Sequence, residues 1–412
     1  MTKFEVAIIG AGPAGCMLAR LLHLGGVNAT IFEGEASPNF RSQGGTLDLH
    51  SDTGIRAVKE AGLFEEFKAQ ARYDGQYMAI VDKNLEYHFV KKPEDSARFG
   101  ERPEIDRVKL RELLAHSLPE GTIKWGHRLQ KVDGQTLIFE HTTAEGFDLI
   151  VGADGAWSKV RQSIAPDLQP VYMGVASHDL AIPDAEKTAP ALYKLVNRGS
   201  LFACGEGQRL SIQQLGEGRI EVYACFVAED PRWMDPDKCK YDVHDLEQTR
   251  QAMLDKFSDW RPELREAITS AQGRTVPRSV YSLPPGARWT HRDGVTLIGD
   301  AAHLMTPYAG EGVNQALDDS LLLSRAILAA IKDGKDMGKS ISKFEGVMFE
   351  RATPVQQLSY DLCNVWYSTP GAPKTVIPKM VSLHVNQKLP WYLRPMGMLG
   401  VHAYFFWRHL TG

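Results

Sequence analysis

The sequence is poor in the residues that staple small domains or hold structural metals. Its five cysteines (Cys16, Cys204, Cys225, Cys239, Cys363) are scattered, odd in number and form no C-x-x-C pair. That pattern fits reduced thiols in an intracellular protein and excludes a disulfide framework. The thirteen histidines give no H-E-x-x-H and no His/Cys cluster, so no metal site is expected. No apolar run reaches the ~20 residues that cross a bilayer. The most apolar stretch, 398–407, is only ten residues long and contains His402. It reads as a last helix docked on the body, with a membrane-surface anchor or a dimer contact as the second reading. Residues 1–5 run straight into a strand and leave no room for a signal peptide, so a cytoplasmic protein, monomeric or weakly dimeric, is expected. Asn28-Ala29-Thr30 matches a glycosylation sequon, by chance in such a chain. Lys plus Arg number 47 against 51 Asp plus Glu, a net charge of −4, which leaves no global footprint for nucleic acid. Repeats and low-complexity linkers are missing too.

What is present is an ordinary globular composition, 43% apolar and 24% charged. At 412 residues it suffices for two or three domains, or one large domain with an insertion. Residues 4–9 form a short apolar strand, 16–23 have helical spacing closed by Gly25-Gly26, and 28–33 form a second strand, a complete βαβ opening. Residues 107–118 read as a helix and 147–152 as a strand. From 171 to 280 the pattern alternates as in antiparallel strands, with 245–257 helical. Buried-strand character returns at 294–299, and 313–331 is a strong helix rich in Leu and Ala. One α/β, doubly wound domain interrupted by a β-rich insertion explains this order better than two domains in series.

Three motifs point to one cofactor. Gly10-x-Gly12-x-x-Gly15 lies between the first strand and helix. There Gly10 allows a tight turn, Gly12 lets backbone approach a pyrophosphate, and Gly15 lets the helix pack close with its positive end toward phosphates. Glu33 ends the second strand, where a carboxylate can bind a ribose hydroxyl pair; FAD and NAD both remain open at this point. The second motif, Asp154-Gly155 at a strand end with Ser158 and Arg161 beyond, could be only a capped turn. The third is Gly299-Asp300-Ala301-Ala302-His303, followed by Pro307, Tyr308, Gly310, Glu311, Gly312, Val313 and Asn314. A carboxylate straight after a buried strand is costly without partners, and ribityl or ribose hydroxyls would supply them. The glycine-rich turn before a helix gathers unpaired N–H groups at one spot, suited to negative charge on a reduced flavin. His303 has no visible Ser or Asp partner and reads as packing the turn rather than as a catalyst.

In this order and spacing the motifs resemble the group A FAD monooxygenases, the single-component aromatic hydroxylases, over most of the first 330 residues. Within that group the chain is most similar to the tetracycline-inactivating monooxygenases. That likeness rests on Gly44-Gly45-Thr46-Leu47-Asp48-Leu49-His50, on Pro103-Glu104-Ile105-Asp106-Arg107 with Leu110-Arg111, and on 299–314. The resemblance implies a Rossmann-like FAD domain over 1–72, 99–170 and 278–335, a β-rich substrate domain over 73–98 and 171–277, and a C-terminal helical segment over 336–412. It implies noncovalent FAD contacts from Gly10, Gly12, Ala14, Gly15, Glu33, Gly45, Asp48, Arg111, Asp300, Gly310, Gly312, Val313 and Asn314. Arg41 matches an arginine implicated in reduced-nicotinamide binding, and Asp154 and Gly155 match the motif that handles both FAD and NAD(P)H. Pro307 would lie beside the flavin. The implied cycle uses NADPH or NADH and O2, forms a C4a-hydroperoxide on the flavin and hydroxylates or rearranges an electron-rich aromatic or enolic small molecule, a secondary metabolite or xenobiotic. No catalytic side chain is singled out, because the chemistry is the cofactor's. A flavin oxidase or dehydrogenase, a halogenase or a prenyl-chain reductase on the same fold, and a non-catalytic FAD protein, are the rival readings; the W-x-W-x-I signature of many halogenases is missing.

The departures bear on substrate. Thr306 stands where the tetracycline enzymes carry a second proline, and Glu311 where the family usually has Gln. Glu311 either faces the flavin, where its charge opposes reduction, or points to solvent. Lys194, Ser200 and Glu221 fall where residues contacting tetracycline are expected, so the antibiotic activity is not carried over. Lys194, Ser200, Phe202, Gln213 and Glu221, read as lying on pocket strands, join Pro307 and Tyr308 as candidate substrate contacts. The alternative is that they are outward-facing positions of alternating strands.

Overall fold

In the computed structural model of the full chain, residues 4–37, 44–73, 77–92 and 102–401 are described. The chain divides into two units. Met1–Arg72, Glu101–Val171 and Tyr281–Gln357 make the first, and Tyr73–Gly100, Tyr172–Val280 and Leu358–Gly412 the second. Residues 336–412 are therefore shared out, the helix Met337–Ser368 contributing its start to one unit and its end to the other. No helix among the described residues is long and apolar enough to cross a membrane.

The first unit is built on a parallel five-stranded sheet in the order Val295–Leu297, Leu149–Gly152, Glu5–Ile9, Asn28–Phe32, Ile123–Lys124. The central strand buries Val6, Ala7 and Ile8 completely, which is why residues 4–9 read as a continuous apolar run rather than an alternating one. Helix Pro13–Leu24 starts on Pro13, pre-set for a first turn, and turns Met17, Leu18, Leu21 and Leu22 inward. It packs against the helix Gly312–Asp333, which buries Leu317, Leu321 and Ile327 at helical spacing. A side chain of this size, fully buried, stabilises the unit by about 1.5–3 kcal/mol. A small antiparallel ribbon, Thr46–Asp48 with Glu104–Asp106, sets Asp48 opposite Glu104.

The second unit carries a seven-stranded sheet in the order Gln272–Ser282, Val171–Ile182, Ile220–Val227, Gln208–Gln214, Ser200–Gly205, Met78–Asp82, Tyr87–Lys91. Strand Met78–Asp82 runs parallel to Ser200–Gly205, while the strands from Val171–Ile182 to Ser200–Gly205 alternate antiparallel. One face holds Leu180, Ile182, Leu201, Leu210, Ile212 and Val222. Leu192, Val196, Met253 and Leu264 from three helices enter the same core. The side chains one residue out of phase form the other face, and there the polar residues collect.

Candidate active site

The first motif behaves as three different glycines. Gly10 has φ +105°, and a Cβ there would lie 2.5 Å from the Ala153 carbonyl oxygen. At Gly15 a Cβ would lie 2.1 Å from the Gly10 carbonyl oxygen and 3.2 Å from Ile8, so only glycine lets the helix approach its strand. Gly12 has φ −75° and ψ 177°, and among the described residues nothing lies within 4 Å of the position its Cβ would take. That residue is free of local packing demands and borders open space at the N-terminus of a helix. Ala14 is buried beside them.

Glu33 follows the second strand and folds back on this turn. Its Oε2 accepts the Ala11 N–H at 2.7 Å and its Oε1 the Glu35 N–H at 2.9 Å. Arg111, buried on the helix Arg107–His116, donates Nε to the Ala11 carbonyl at 3.0 Å and pairs with Glu35 at 2.9 Å and with Glu33 at 3.5 Å. Three segments distant in sequence thus converge on Ala11.

The second motif is a cap. Asp154 Oδ2 accepts the Lys159 N–H at 2.7 Å and the Val160 N–H at 3.3 Å, and the Ser158 hydroxyl accepts the Arg161 N–H at 2.8 Å. Gly155 supplies φ +76°. Asp154 Oδ1 is buried with no hydrogen-bond partner, and burial raises the pKa of this carboxyl. Arg161, fully buried, donates to the Ala301 carbonyl at 2.9 Å and so ties this turn to the third motif.

In the third motif Gly299 has φ +61° and starts the short helix Asp300–His303. Asp300 is exposed, and no hydrogen bond to its carboxylate is found among the described residues. Protein crowds its other sides, which raises its pKa against the pull of His303, Arg107 and Arg161. His303 corrects the expectation that it lacks an acidic partner. Its Nε2 is 2.6 Å from Asp319 Oδ2, on the long helix, and the same oxygen accepts the Gly299 N–H at 2.8 Å. Burial opposes a charge on His303, but the carboxylate beside it prevails and raises its pKa, while Asp319 is held low. Arg351 completes the cluster by pairing with both Asp318 and Asp319. Structural packing is still the role this supports, now as a buried ion cluster behind Asp300.

The turn Pro307–Ala309 and Gly310, φ +68°, lead into the long helix. Asn314 joins it to the ribbon, its Nδ2 donating to the Asp48 carbonyl at 2.9 Å and its Oδ1 accepting the His50 N–H at 2.8 Å. Glu311 does not point to solvent, as one reading had it. It is half-buried, with Oε1 3.3 Å from His50 Nδ1. Gly45, at φ +79°, precedes the ribbon and Val313 lies in the first helical turn; Arg41 is outside the described residues.

The chain matches the family described as "FAD binding domain" over residues 3–187 and 248–339. It is 32% identical to monooxygenase penA of Penicillium thymicola, covering 90% of this chain and 97% of that one. The chain belongs to the FAD-dependent, aromatic-hydroxylase-type monooxygenases. Its fold is that of Klebsiella pneumoniae HpxO complexed with FAD and uric acid (TM-score 0.75, 18% identity, 97% and 96% of the two chains). It is also that of the tetracycline destructase Tet(51) (TM-score 0.68, 17% identity, 94% and 99%).

The residues of this monooxygenase fit FAD. Two helix N-termini offer unpaired N–H groups beside Gly12 and Gly312, which suit phosphates and a developing negative charge. Among the described residues the Asp300 carboxylate and Asp154 Oδ1 accept no hydrogen bond within normal geometry, which leaves acceptors for a ligand. Three features escaped the sequence: the ion pair of His50, the Asn314 bridge and the Asp319 partner of His303. The last had a signal, since Asp318 and Asp319 sit on the buried face of an apolar helix, where acids need cations.

The candidate substrate residues fall into separate groups. Pro307 is exposed and Tyr308 half-buried, both in the first unit. In the second, Ser200, Gln213 and Glu221 are in register across three adjacent strands, and Gln213 Nε2 lies 3.4 Å from Ser200 Oγ. Phe202 is on the same face, its ring under the Arg209 guanidinium at 4.5 Å. Lys194 is not on a strand. Pro190 opens the helix Pro190–Val196 there, Leu192 and Val196 anchor it on the opposite, apolar face, and Lys194 is exposed. Among the described residues Asp82, Glu86 and His88 gather ligating atoms within 4.8 Å, but Asp82 already accepts two backbone N–H groups of its own turn.

Proposed function

We propose that this monooxygenase uses NADPH or NADH and O2 to hydroxylate, or oxidatively rearrange, an electron-rich aromatic or enolic small molecule, a secondary metabolite or xenobiotic. FAD, when bound, supplies the transfer of reducing equivalents and the activation of oxygen. The chain's share is to hold the cofactor, exclude water and orient the substrate. In the first unit Gly12, Glu33, Arg111 and Asp300 bind the cofactor's phosphates and hydroxyls, with Asp154 and Gly155 at the same site. Pro307 and the 310–314 turn lie beside the ring. In the second unit Ser200, Phe202, Gln213 and Glu221 bind the substrate, and Lys194 has no part in it.

The in-register row Ser200, Gln213, Glu221 carries the substrate reading. Burial, aided by nearby Asp179, pushes the Glu221 carboxyl up to about 7 against the pull of Arg219, Arg278 and Arg274. A carboxyl that is neutral near that pH both donates and accepts, which suits a phenol or enol. The names of the similar structures include uric acid and tetracycline, both conjugated molecules with enolic or phenolic oxygens.

The test is NAD(P)H oxidation by the flavin-loaded protein with and without a panel of phenolic and enolic compounds, counting oxygenated product rather than NAD(P)H consumed. Coupled product is expected with a phenol and not with tetracycline. KM should rise as pH climbs through about 7, and Glu221→Gln should flatten that limb. Uncoupled oxidation with every compound would refute the substrate class, and tetracycline matching the best phenol would refute the assignment of specificity to Ser200, Gln213 and Glu221.

A further inference from the structure

His50 stands between two acids where the ribbon meets the long helix. Its Nε2 is 3.2 Å from Asp48 Oδ2 and its Nδ1 3.3 Å from Glu311 Oε1. An ionised carboxylate only accepts hydrogen bonds, so serving both acids requires hydrogen on both ring nitrogens, that is, an imidazolium. The backbone at this point is fixed, since the His50 main-chain N–H donates to Asn314 Oδ1 and Asn314 Nδ2 donates to the Asp48 carbonyl. Among the described residues the other charges beside the cluster are Arg102, 3.6 Å from Asp48, and Glu104, which faces Asp48 across the ribbon and is pushed up to about 7 by burial. Arg56, on the neighbouring helix, is turned away to Asp318. With His50 protonated, Asp48 and Glu311 are balanced by His50 and Arg102.

We infer that His50 is a charge-compensating positioning residue, holding Glu311 in a neutral pair so that the start of the long helix can stabilise negative charge on reduced FAD. A helix N-terminus presents about +0.5 charge. Glu311 stands at that terminus and alone would reverse the sign; with His50 beside it the sum is positive again. The inference rests on FAD lying at the 310–314 turn. Burial works against the imidazolium, but the hydrogen bonds to Asp48 and Glu311 prevail over it and over Arg102, raising His50 to about 9. The compensation therefore holds at neutral pH and is lost as pH rises through about 9.

The experiment measures the midpoint potential of protein-bound FAD against pH in the wild type, His50→Gln, Glu311→Gln and the double variant, with flavin stoichiometry for each. His50→Gln should weaken binding of reduced relative to oxidised FAD about tenfold, a potential lower by about 30 mV for a two-electron couple. Glu311→Gln should shift it in the opposite direction, and the double variant should return close to the wild type. A merely structural role would move both single variants the same way. The wild type should show an added fall in potential near pH 9. Glu311→Gln should move that inflection to lower pH, a readout that survives if His50→Gln fails to fold. Single variants that shift together, or a wild-type profile that Glu311→Gln leaves unmoved, would overturn the inference while leaving FAD binding intact. A wild type that binds no flavin would overturn the cofactor reading and this inference with it.

Discussion

Gly12 and Gly15 are three residues apart in one motif, yet alanine should harm the protein by different routes. At Gly15 the added carbon would lie 2.1 Å from a backbone oxygen, about an ångström closer than contact allows, so strand and helix must separate. Overpacking of this kind costs about 1–3 kcal/mol, or roughly 2–12 °C in thermal midpoint for a unit of this size. At Gly12 the backbone angles already suit alanine and nothing lies within 4 Å, so the apoprotein should be unharmed, or stabilised by about 0.4–1 kcal/mol. The carbon would instead intrude where phosphate must meet the helix end, and a fall in FAD affinity of at least tenfold, ~1.4 kcal/mol, is expected. The assay pairs thermal denaturation of each apoprotein with titration of FAD by flavin fluorescence. Gly12→Ala that keeps wild-type affinity would refute the assignment of the open space to the cofactor. Gly15→Ala with an unchanged midpoint would refute the packing argument.

Asp300→Ala should leave the fold intact and weaken FAD retention by about 1–3 kcal/mol, read as flavin occupancy after gel filtration. Asp319→Ala strips the partner from His303 and the Gly299 N–H and one of two acids from Arg351, so urea denaturation should show a loss of about 3–5 kcal/mol. His178 is enclosed between Thr275 and Tyr241, and burial, helped by His244, lowers its pKa to about 4. The unfolded chain therefore binds a proton that the folded chain refuses below about pH 6.5. Roughly 2 kcal/mol of stability should be lost between about pH 7.5 and pH 5, and His178→Gln should flatten that slope.

The βαβ opening was readable because its signals are local: one apolar run, glycines at fixed spacing and a helical period within 30 residues. The same holds for the 294–314 motif, whose strand, acid and glycine turn are consecutive. Sequence reading failed where partners are remote. His50 and Glu311 meet only because Asn314 ties the ribbon to the long helix, and neither neighbourhood betrays the other. Strand Met78–Asp82 joins Ser200–Gly205 across more than a hundred residues, which no periodicity records. Lys194 was misread as a strand residue because its run of small and apolar neighbours suits either element. Pro190 at the first turn and the left-handed Asn197 at the end identify a helix.

The Asn314 bridge to Asp48 spans 266 positions of chain. A ribosome adding about 5–20 residues per second needs roughly 15–50 s to make that interval. For most of it the glycine loop and Glu33 have already been made, but Asp300 and the 310–314 turn have not. The second unit's central strands are made within the gap. If the proposed site holds FAD, its capture is a late event in biogenesis, since a nascent chain stalled before residue 300 carries only the proposed half around Ala11. On that assignment flavin starvation should deplete this protein after synthesis, through turnover of the apo form, rather than during it.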